Sequence, residues 1–155
     1  MLYLAPVPVL VRVGNLDLAA MTQDWGRPHK DQSVEEHPLR VGGQTFAFGI
    51  GGHAGSRLDV NLGGKASRFT ARIGVDDETG GKGTVVFRVY ADGTLRYDSG
   101  VIRGGEAPRA VAVDLKGVKT LRLVTHSERV LLNAMVLVGT SPILRHRREI
   151  EVAHA

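Results

Sequence analysis

The chain has 155 residues, 43% of them hydrophobic, which suits one folded domain and argues against general disorder. It contains no cysteine, so disulfides, thiolate zinc sites and cysteine nucleophiles are excluded. The net charge is +4, and no aromatic platform is interleaved with the basic residues, so we expect no nucleic-acid binding.

The first segment, MLYLAPVPVLV, is apolar. It has no basic start and no cleavage signal, so it makes a poor signal peptide. It is also shorter than the ~20 apolar residues that span a bilayer, and Pro6 and Pro8 oppose a helix. We expect residues 1–15 to be an extended strand or the remnant of a linker, and residues 16–21 to form one helical turn.

From residue 39 onward, apolar and polar residues alternate. Leu58, Val60 and Leu62 share one face of a predicted strand, and residues 69–73 repeat the pattern. A period of two is typical of half-buried strands with one core face and one wet face. The 20 glycines are scattered, which indicates many tight turns between short strands.

The clearest element is VVFRVYADGTLRYDSG. Its Asp92-Gly93 pair lies between two strand-like runs, and Asp-Gly readily takes the positive φ angles of a type I′ turn. We therefore predict that residues 85–90 and 94–98 pair as an antiparallel hairpin.

Further strands are predicted toward the C-terminus. We expect residues 110–115 to pair with residues 120–125, and residues 129–139 to form a last strand. The segment after Pro142 carries the charge run RHRRE and is predicted to be a frayed tail or linker. Short strands at a spacing of roughly 8–12 residues favour an all-β sandwich.

The stretch GIGGHAGSR places four glycines around His53. A catalytic base would need a nucleophile, and the nearby Ser56 lacks the GxSxG context. Two other interpretations stay open: a buried or turn-stabilising histidine, and a loop histidine that hydrogen-bonds a ligand.

The acidic stretch GVDDETGGKG follows a predicted strand. Asp76, Asp77 and Glu78 offer hard oxygen ligands for Ca²⁺, although the spacing is not that of an EF-hand. The same carboxylates could accept hydrogen bonds from sugar hydroxyls. The alternative is a solvated acidic loop or a salt bridge to Arg103.

Two more residues are candidates for ligand contacts. Trp25 lies in the polar stretch TQDWGRPHKDQS, where its indole could stack on the apolar face of a sugar or pack in the core. Arg103, in RGGEAP, is a donor of fixed geometry, but an exposed side chain without a ligand is the default interpretation.

Several blocks together resemble the NPCBM/NEW2 domain, carbohydrate-binding module family 51. They cover residues 16–124 and include WGRPHKDQSV, PLRVGGQTFAFGIGGHAGSRLDVNLGG, the GVDDE loop and VDLKGVKTLRLV. The resemblance implies a jelly-roll β-sandwich of the galactose-binding-domain-like type. It also implies an extracellular or cell-surface, non-catalytic module that binds galactose-containing glycans, attached to a glycoside hydrolase such as an α-galactosidase or a family 98 enzyme.

The resemblance also suggests site residues. It implies a ligand-binding set of Trp25, His53, Asp77, Glu78 and Arg103, and a structural calcium ion for which Asp76 is the candidate ligand. It implies no catalytic residue. A glycosidase would need two carboxyls ~5–9.5 Å apart in a cleft, and the adjacent Asp76 and Asp77 suit that geometry poorly.

The similarity stops after Val124. Family members continue with a Gly/Asp-rich loop and a D-H-A-D-W-like segment, whereas no Asp or Trp follows Val124 here. Either true divergence or a shifted reading frame in the source sequence would produce this change. We therefore predict an extension at residues 1–15, a sandwich at 16–139 that is divergent from 125, and a tail at 140–155. The alternative function is a degenerate or truncated structural or interaction module of a longer glycosidase.

Overall fold

A computed structural model describes residues 8–24, 26–126, 134–138 and 143–146. In these ranges the backbone forms strands joined by tight turns and three single-turn 3₁₀ helices. The helices are Val13–Asn15, Leu18–Ala20 and Asp77–Thr79, and the second matches the predicted helical turn at residues 16–21. No helix in the described ranges has the length and apolar character needed to cross a membrane.

The strands follow one another along the chain with short connections. They are β1 (Pro8–Val11), β2 (His29–Lys30), β3 (Leu39–Val41), β4 (Gln44–Phe46), β5 (Ile50–His53), β6 (Ser56–Asn61), β7 (Ala66–Val75), β8 (Thr84–Ala91), β9 (Thr94–Arg103), β10 (Arg109–Asp114), β11 (Thr120–His126), β12 (Ala134–Val138) and β13 (Ile143–His146).

Two antiparallel sheets make the sandwich. The larger has the order β1-β13-β7-β12-β5-β2, and β10, outside this order, also pairs with β7; the smaller has the order β6-β11-β8-β9. Strands β3 and β4 form a separate hairpin. The all-β sandwich predicted from the alternating pattern is confirmed.

The core lies between the two sheets, where apolar faces of strands such as β6, β7, β8 and β11 point inward. In β6, Leu58 and Val60 are buried while Arg57, Asp59 and Asn61 are exposed, as the period of two predicts. From the larger sheet, β7 contributes Phe69 and Ile73 to the same cluster. Burial of these side chains is the main favourable term that holds the sheets together.

The hairpin of β8 and β9 is confirmed. Asp92 and Gly93 both have positive φ, 49° and 80°, as a type I′ turn requires. The carboxylate of Asp92 also accepts the backbone N–H groups of Lys119 and Thr120, so the turn is tied to a second loop.

The second predicted pair is wrong. Strand β10 pairs with β7 in the larger sheet, whereas β11 lies between β6 and β8 in the smaller one. The Lys116–Lys119 connection therefore crosses between the sheets. Alternation identifies the buried face of a strand, but it does not select the neighbouring strand.

The C-terminal strands differ partly from expectation. Within the predicted strand at residues 129–139, β12 covers Ala134–Val138, and residues 129–133 and 139 lie outside the described ranges. Two strands lie beyond the predicted limits of the sandwich, residues 16 and 139. These are β1 and β13, which pair with each other, and β13 also pairs with β7.

Candidate functional site

One end of the sandwich collects most of the predicted site residues. There β5 ends at His53, β7 at Val75 and β9 at Arg103, while β6, β8 and β10 begin. The connections 54–55, 76–83 and 104–108 therefore lie at this end, which we call the loop end. Strand β12 pairs with both β5 and β7, so His53 and the acidic loop are about two strand spacings, ~10 Å, apart.

Asp77 anchors the β3–β4 turn. Its Oδ1 accepts the backbone N–H of Gly42 at 2.9 Å, and its Oδ2 accepts that of Gly43 at 2.8 Å. Both glycines have positive φ, which turns their N–H groups toward the carboxylate. The Arg40 Nε lies 3.5 Å from Oδ2, so Asp77 pairs with Arg40 rather than with Arg103, the partner named in the alternative interpretation.

Asp76 is buried, with 1% of its surface exposed. Its Oδ1 accepts the N–H of Glu78 at 2.9 Å, and its Oδ2 accepts that of Arg40 at 3.3 Å. Burial raises the pKa of Asp76 to about 6, although both hydrogen bonds lower it. The carboxylate thus caps the 3₁₀ helix and fixes strand β3.

The predicted calcium ion at Asp76 stays a prediction, and the fit of the residues is poor. Both oxygens of Asp76 already accept backbone amides. Asp76 is also not part of the metal-ligand cluster found among the described residues. That cluster of three possible ligand side chains consists of Glu35, His37 and Glu78.

Glu78 reaches a loop that the sequence did not connect with it. Its Oε1 accepts a hydrogen bond from the buried Ser33 hydroxyl and lies 3.1 Å from Nδ1 of His37. The side chain is only 8% exposed, and Oε2 is buried with no hydrogen-bond partner among the described residues.

A groove opens between the β3–β4 hairpin and the acidic loop. We call it the acidic groove; its volume is about 660 Å³ and its lining residues are His37, Pro38, Arg40, Thr45, Asp76, Asp77 and Glu78. Sequence reasoning missed His37, Arg40 and Thr45. The alternation of β3 carried a signal, because Leu39 and Val41 point inward and so leave Arg40 on the wet face.

His53 lies at the end of β5 and is half-buried. Its Nδ1 is 2.9 Å from the carbonyl oxygen of Ala54, and its backbone N–H donates to Oε1 of Gln23 at 3.4 Å. The neighbouring Gly55 is covered by the carboxylate of Asp24, because a Cβ added to Gly55 would lie 1.9 Å from Oδ2. The segment 22–24 thus packs on the GHAGS loop.

Next to this loop lies a second groove of about 550 Å³. Its lining residues are Leu18, Ala19, Met21, Thr22, Gln23, Gly26, Arg27 and Pro28. Trp25 belongs to the same stretch of sequence but lies outside the described residues. A ligand-binding role for Trp25 or His53 stays a prediction.

Arg103 ends strand β9 at the loop end. Its backbone N–H donates to Oε2 of Glu106 at 2.7 Å, and its side chain is exposed. Arg103 is not among the lining residues of either groove described above. Its role as a ligand contact also stays a prediction.

The sequence is similar to parts of two much longer bacterial glycosidases. It is 41% identical over 105 residues to a putative endo-α-N-acetylgalactosaminidase of Renibacterium salmoninarum, a match covering 64% of this chain and 7% of the relative. It is 32% identical over 120 residues to an α-1,3-galactosidase B of Akkermansia muciniphila, covering 75% of this chain and 15% of the relative.

The fold is similar to solved carbohydrate-binding modules of family 51. One, from Clostridium perfringens in complex with methyl-galactose, has a TM-score of 0.75 at 24% identity, covering 90% of this chain and 99% of that one. Another, in a Clostridium perfringens ZmpB structure with GlcNAc, has a TM-score of 0.74 at 24% identity, covering 87% of this chain and 31% of that one. These likenesses confirm the galactose-binding-like sandwich.

The family model of the NPCBM/NEW2 domain matches residues 10–131, most of the chain. This match extends over both sheets of the sandwich and over the loop end. The chain therefore belongs to the NPCBM/NEW2 family and is a non-catalytic carbohydrate-binding module of family 51.

Proposed function

We propose that the acidic groove binds a galactose-type glycan. The observation that carries this proposal is the groove itself: a concavity of about 660 Å³ at the loop end, lined mostly by charged and polar residues and large enough for a small saccharide. Two comparisons support the sugar class. One sequence relative is an α-1,3-galactosidase, and one structural neighbour is a complex with methyl-galactose.

The groove presents donors and acceptors that suit sugar hydroxyls. Arg40 has 59% of its side chain exposed and carries donors in a fixed fork, and the exposed Thr45 hydroxyl can both donate and accept. Asp77 is 26% exposed and has acceptor capacity beyond its amide contacts. Hydrogen bonds to these charged groups would select the orientation of the hydroxyls.

Isothermal titration calorimetry tests the site. Methyl-galactose, N-acetylgalactosamine and blood-group-type oligosaccharides are titrated into the protein. Glucose and GlcNAc are titrated separately as comparison sugars, to test specificity. We expect weak binding to galactose-type sugars, with Kd near ~1 mM for a monosaccharide. Arg40→Ala and Thr45→Ala should each weaken it by roughly tenfold, the effect of losing one hydrogen bond.

The matched control is Arg96→Ala. Arg96 is exposed in β9 near the β8–β9 turn, at the opposite end of the sandwich, and its removal should leave sugar affinity unchanged. Equal losses in Arg40→Ala and Arg96→Ala would contradict the proposed site. Silence across a broad glycan array would instead support a degenerate structural or interaction module.

We also propose that the module directs an attached glycoside hydrolase to its glycan outside the cell. This part rests on the lengths of the relatives, of which the chain covers only 7% and 15%. The coding sequence on both sides, together with detection of the product in the culture medium, tests it. A neighbouring frame without a hydrolase domain would count against the fusion.

A further inference from the structure

We propose that Glu35, His37 and Glu78 bind a transition-metal ion of the zinc class. Each side chain offers one ligand atom, and these atoms all lie within 4.8 Å of one another. Glu35 and His37 come from the loop before β3, and Glu78 comes from the 3₁₀ helix Asp77–Thr79, so an ion would join two separate segments.

The buried carboxylate of Glu78 is the second observation that points to an ion. Its side chain is 92% buried, because only 8% is exposed, and Oε2 has no partner among the described residues. A buried carboxylate oxygen without a donor or cation is unfavourable. A metal ion bound between Glu78 and the two exposed ligands would compensate this charge.

The loop holds its two ligands close to Glu78. Ser33 is fully buried; its N–H donates to the carbonyl oxygen of His37 at 2.8 Å, and its hydroxyl accepts the N–H of His37 at 2.9 Å. The Ser33 carbonyl accepts the N–H of Glu36 at 2.9 Å. The backbone is thus closed into a turn, whereas the side chains of Glu35 and His37 are exposed and can adjust their rotamers.

The ligand types select the metal. One imidazole nitrogen with two carboxylates suits Zn²⁺, with ligand distances near ~2.0–2.2 Å and a water in the fourth position. Such a site requires ligand atoms roughly 3.3 Å apart. Nδ1 of His37 already lies 3.1 Å from Oε1 of Glu78, so only the wider separations in the set, which reach at most 4.8 Å, must shorten. Calcium prefers six to eight oxygen ligands, and this set offers only two carboxylates beside an imidazole nitrogen.

Metal binding is measured on the full chain without any tag and without sugar, so the result does not depend on the proposed glycan site. Protein treated with EDTA and dialysed is titrated with ZnCl₂ by calorimetry, and its thermal midpoint is followed with ZnCl₂ or CaCl₂. We expect one Zn²⁺ per chain and a midpoint that rises with Zn²⁺ concentration, with a smaller response to Ca²⁺.

The variants identify the ligands. Glu35→Gln and His37→Ala should each weaken Zn²⁺ binding by at least ~10-fold, while the neighbouring Glu36→Gln and the distant His29→Ala should not. The His37 imidazole signals in NMR should shift on Zn²⁺ addition in the wild-type chain. Absence of Zn²⁺ binding, equal weakening by Glu36→Gln, or Ca²⁺ binding as tight as that of Zn²⁺ would overturn the proposal.

Discussion

The Oδ2 atom of Asp77 accepts the backbone N–H of Gly43 at 2.8 Å, across 34 positions of the sequence. Together with the bond from Gly42 to Oδ1, this contact holds the β3–β4 turn against the acidic loop. A residue that the sequence suggests as a ligand contact is therefore also a structural anchor, and the two roles must be separated by experiment.

Replacement of Asp77 by Ala should destabilise the fold by about 2–4 kcal/mol, because two charge-assisted hydrogen bonds are lost together. The free energy of unfolding, measured in urea, checks this. Asp17→Ala is the control, since Asp17 is exposed and caps a single turn through one contact with Ala19. An equal loss in both variants would show that the long-range anchor adds nothing.

Gly51 is expected to tolerate no side chain. A Cβ at this position would lie 2.0 Å from the carbonyl oxygen of Gln32 and 2.5 Å from Cα of Ser33. Gly51→Ala should therefore force the backbone apart and lower stability by several kcal/mol, about 3 or more. Thermal unfolding followed by circular dichroism checks the prediction.

Gly43→Ala is the comparison for Gly51→Ala. Nothing lies within 4 Å of the added Cβ, and only the φ of +82° opposes it. We expect Gly43→Ala to lower the free energy of unfolding by about 1–2 kcal/mol, from backbone strain alone. Equal unfolding temperatures for Gly51→Ala and Gly43→Ala would contradict the close approach of β5 to residues 32–33.

The buried pair of Ser56 and Thr125 joins β6 to β11. The two hydroxyl oxygens lie 2.6 Å apart, and Oγ1 of Thr125 also accepts the backbone N–H of Ser56 at 3.2 Å. Thr125→Val should destabilise by about 1–3 kcal/mol, because it leaves buried polar groups with fewer partners. Thr125→Ser keeps the hydroxyl and should lose less stability than Thr125→Val. A Thr125→Ser variant less stable than Thr125→Val in urea unfolding would contradict this account.

Asp76 should make stability depend on pH. Its pKa is raised from 3.8 to about 6 by burial, so the folded state holds the proton more tightly than the unfolded state. The stabilisation of the folded state by the protonated Asp76 is fully present below about pH 4 and is lost as pH rises through about 6. The slope for one proton is at most about 1.4 kcal/mol per pH unit.

The Asp76→Asn variant removes that titration. Urea unfolding in buffers containing EDTA, across this pH window, should show a flatter profile for the variant than for the wild-type chain. The absolute stability of the variant should fall as well, because one oxygen that accepts a backbone N–H is replaced by an amide donor. Parallel profiles for the two proteins would show that Asp76 does not titrate in this range.

Local patterns in the sequence determined a good part of the fold. The alternation of Leu58 and Val60 with charged neighbours identified a half-buried strand, and Asp92-Gly93 identified a hairpin. Both features depend on the conformation and burial of adjacent residues, so a short window contains the information. The distinct sequence blocks within residues 16–124, taken together, also indicated the family correctly.

Only the tertiary structure decided which strands pair and which side chains meet. Strand β10 joined β7 rather than β11, because an alternating pattern specifies a face and leaves the neighbour open. The acidic groove likewise depends on residues far apart in sequence: Arg40 meets Asp77, and His37 meets Glu78. Their residue types were visible in the sequence, but their proximity follows from how the sheets and loops pack.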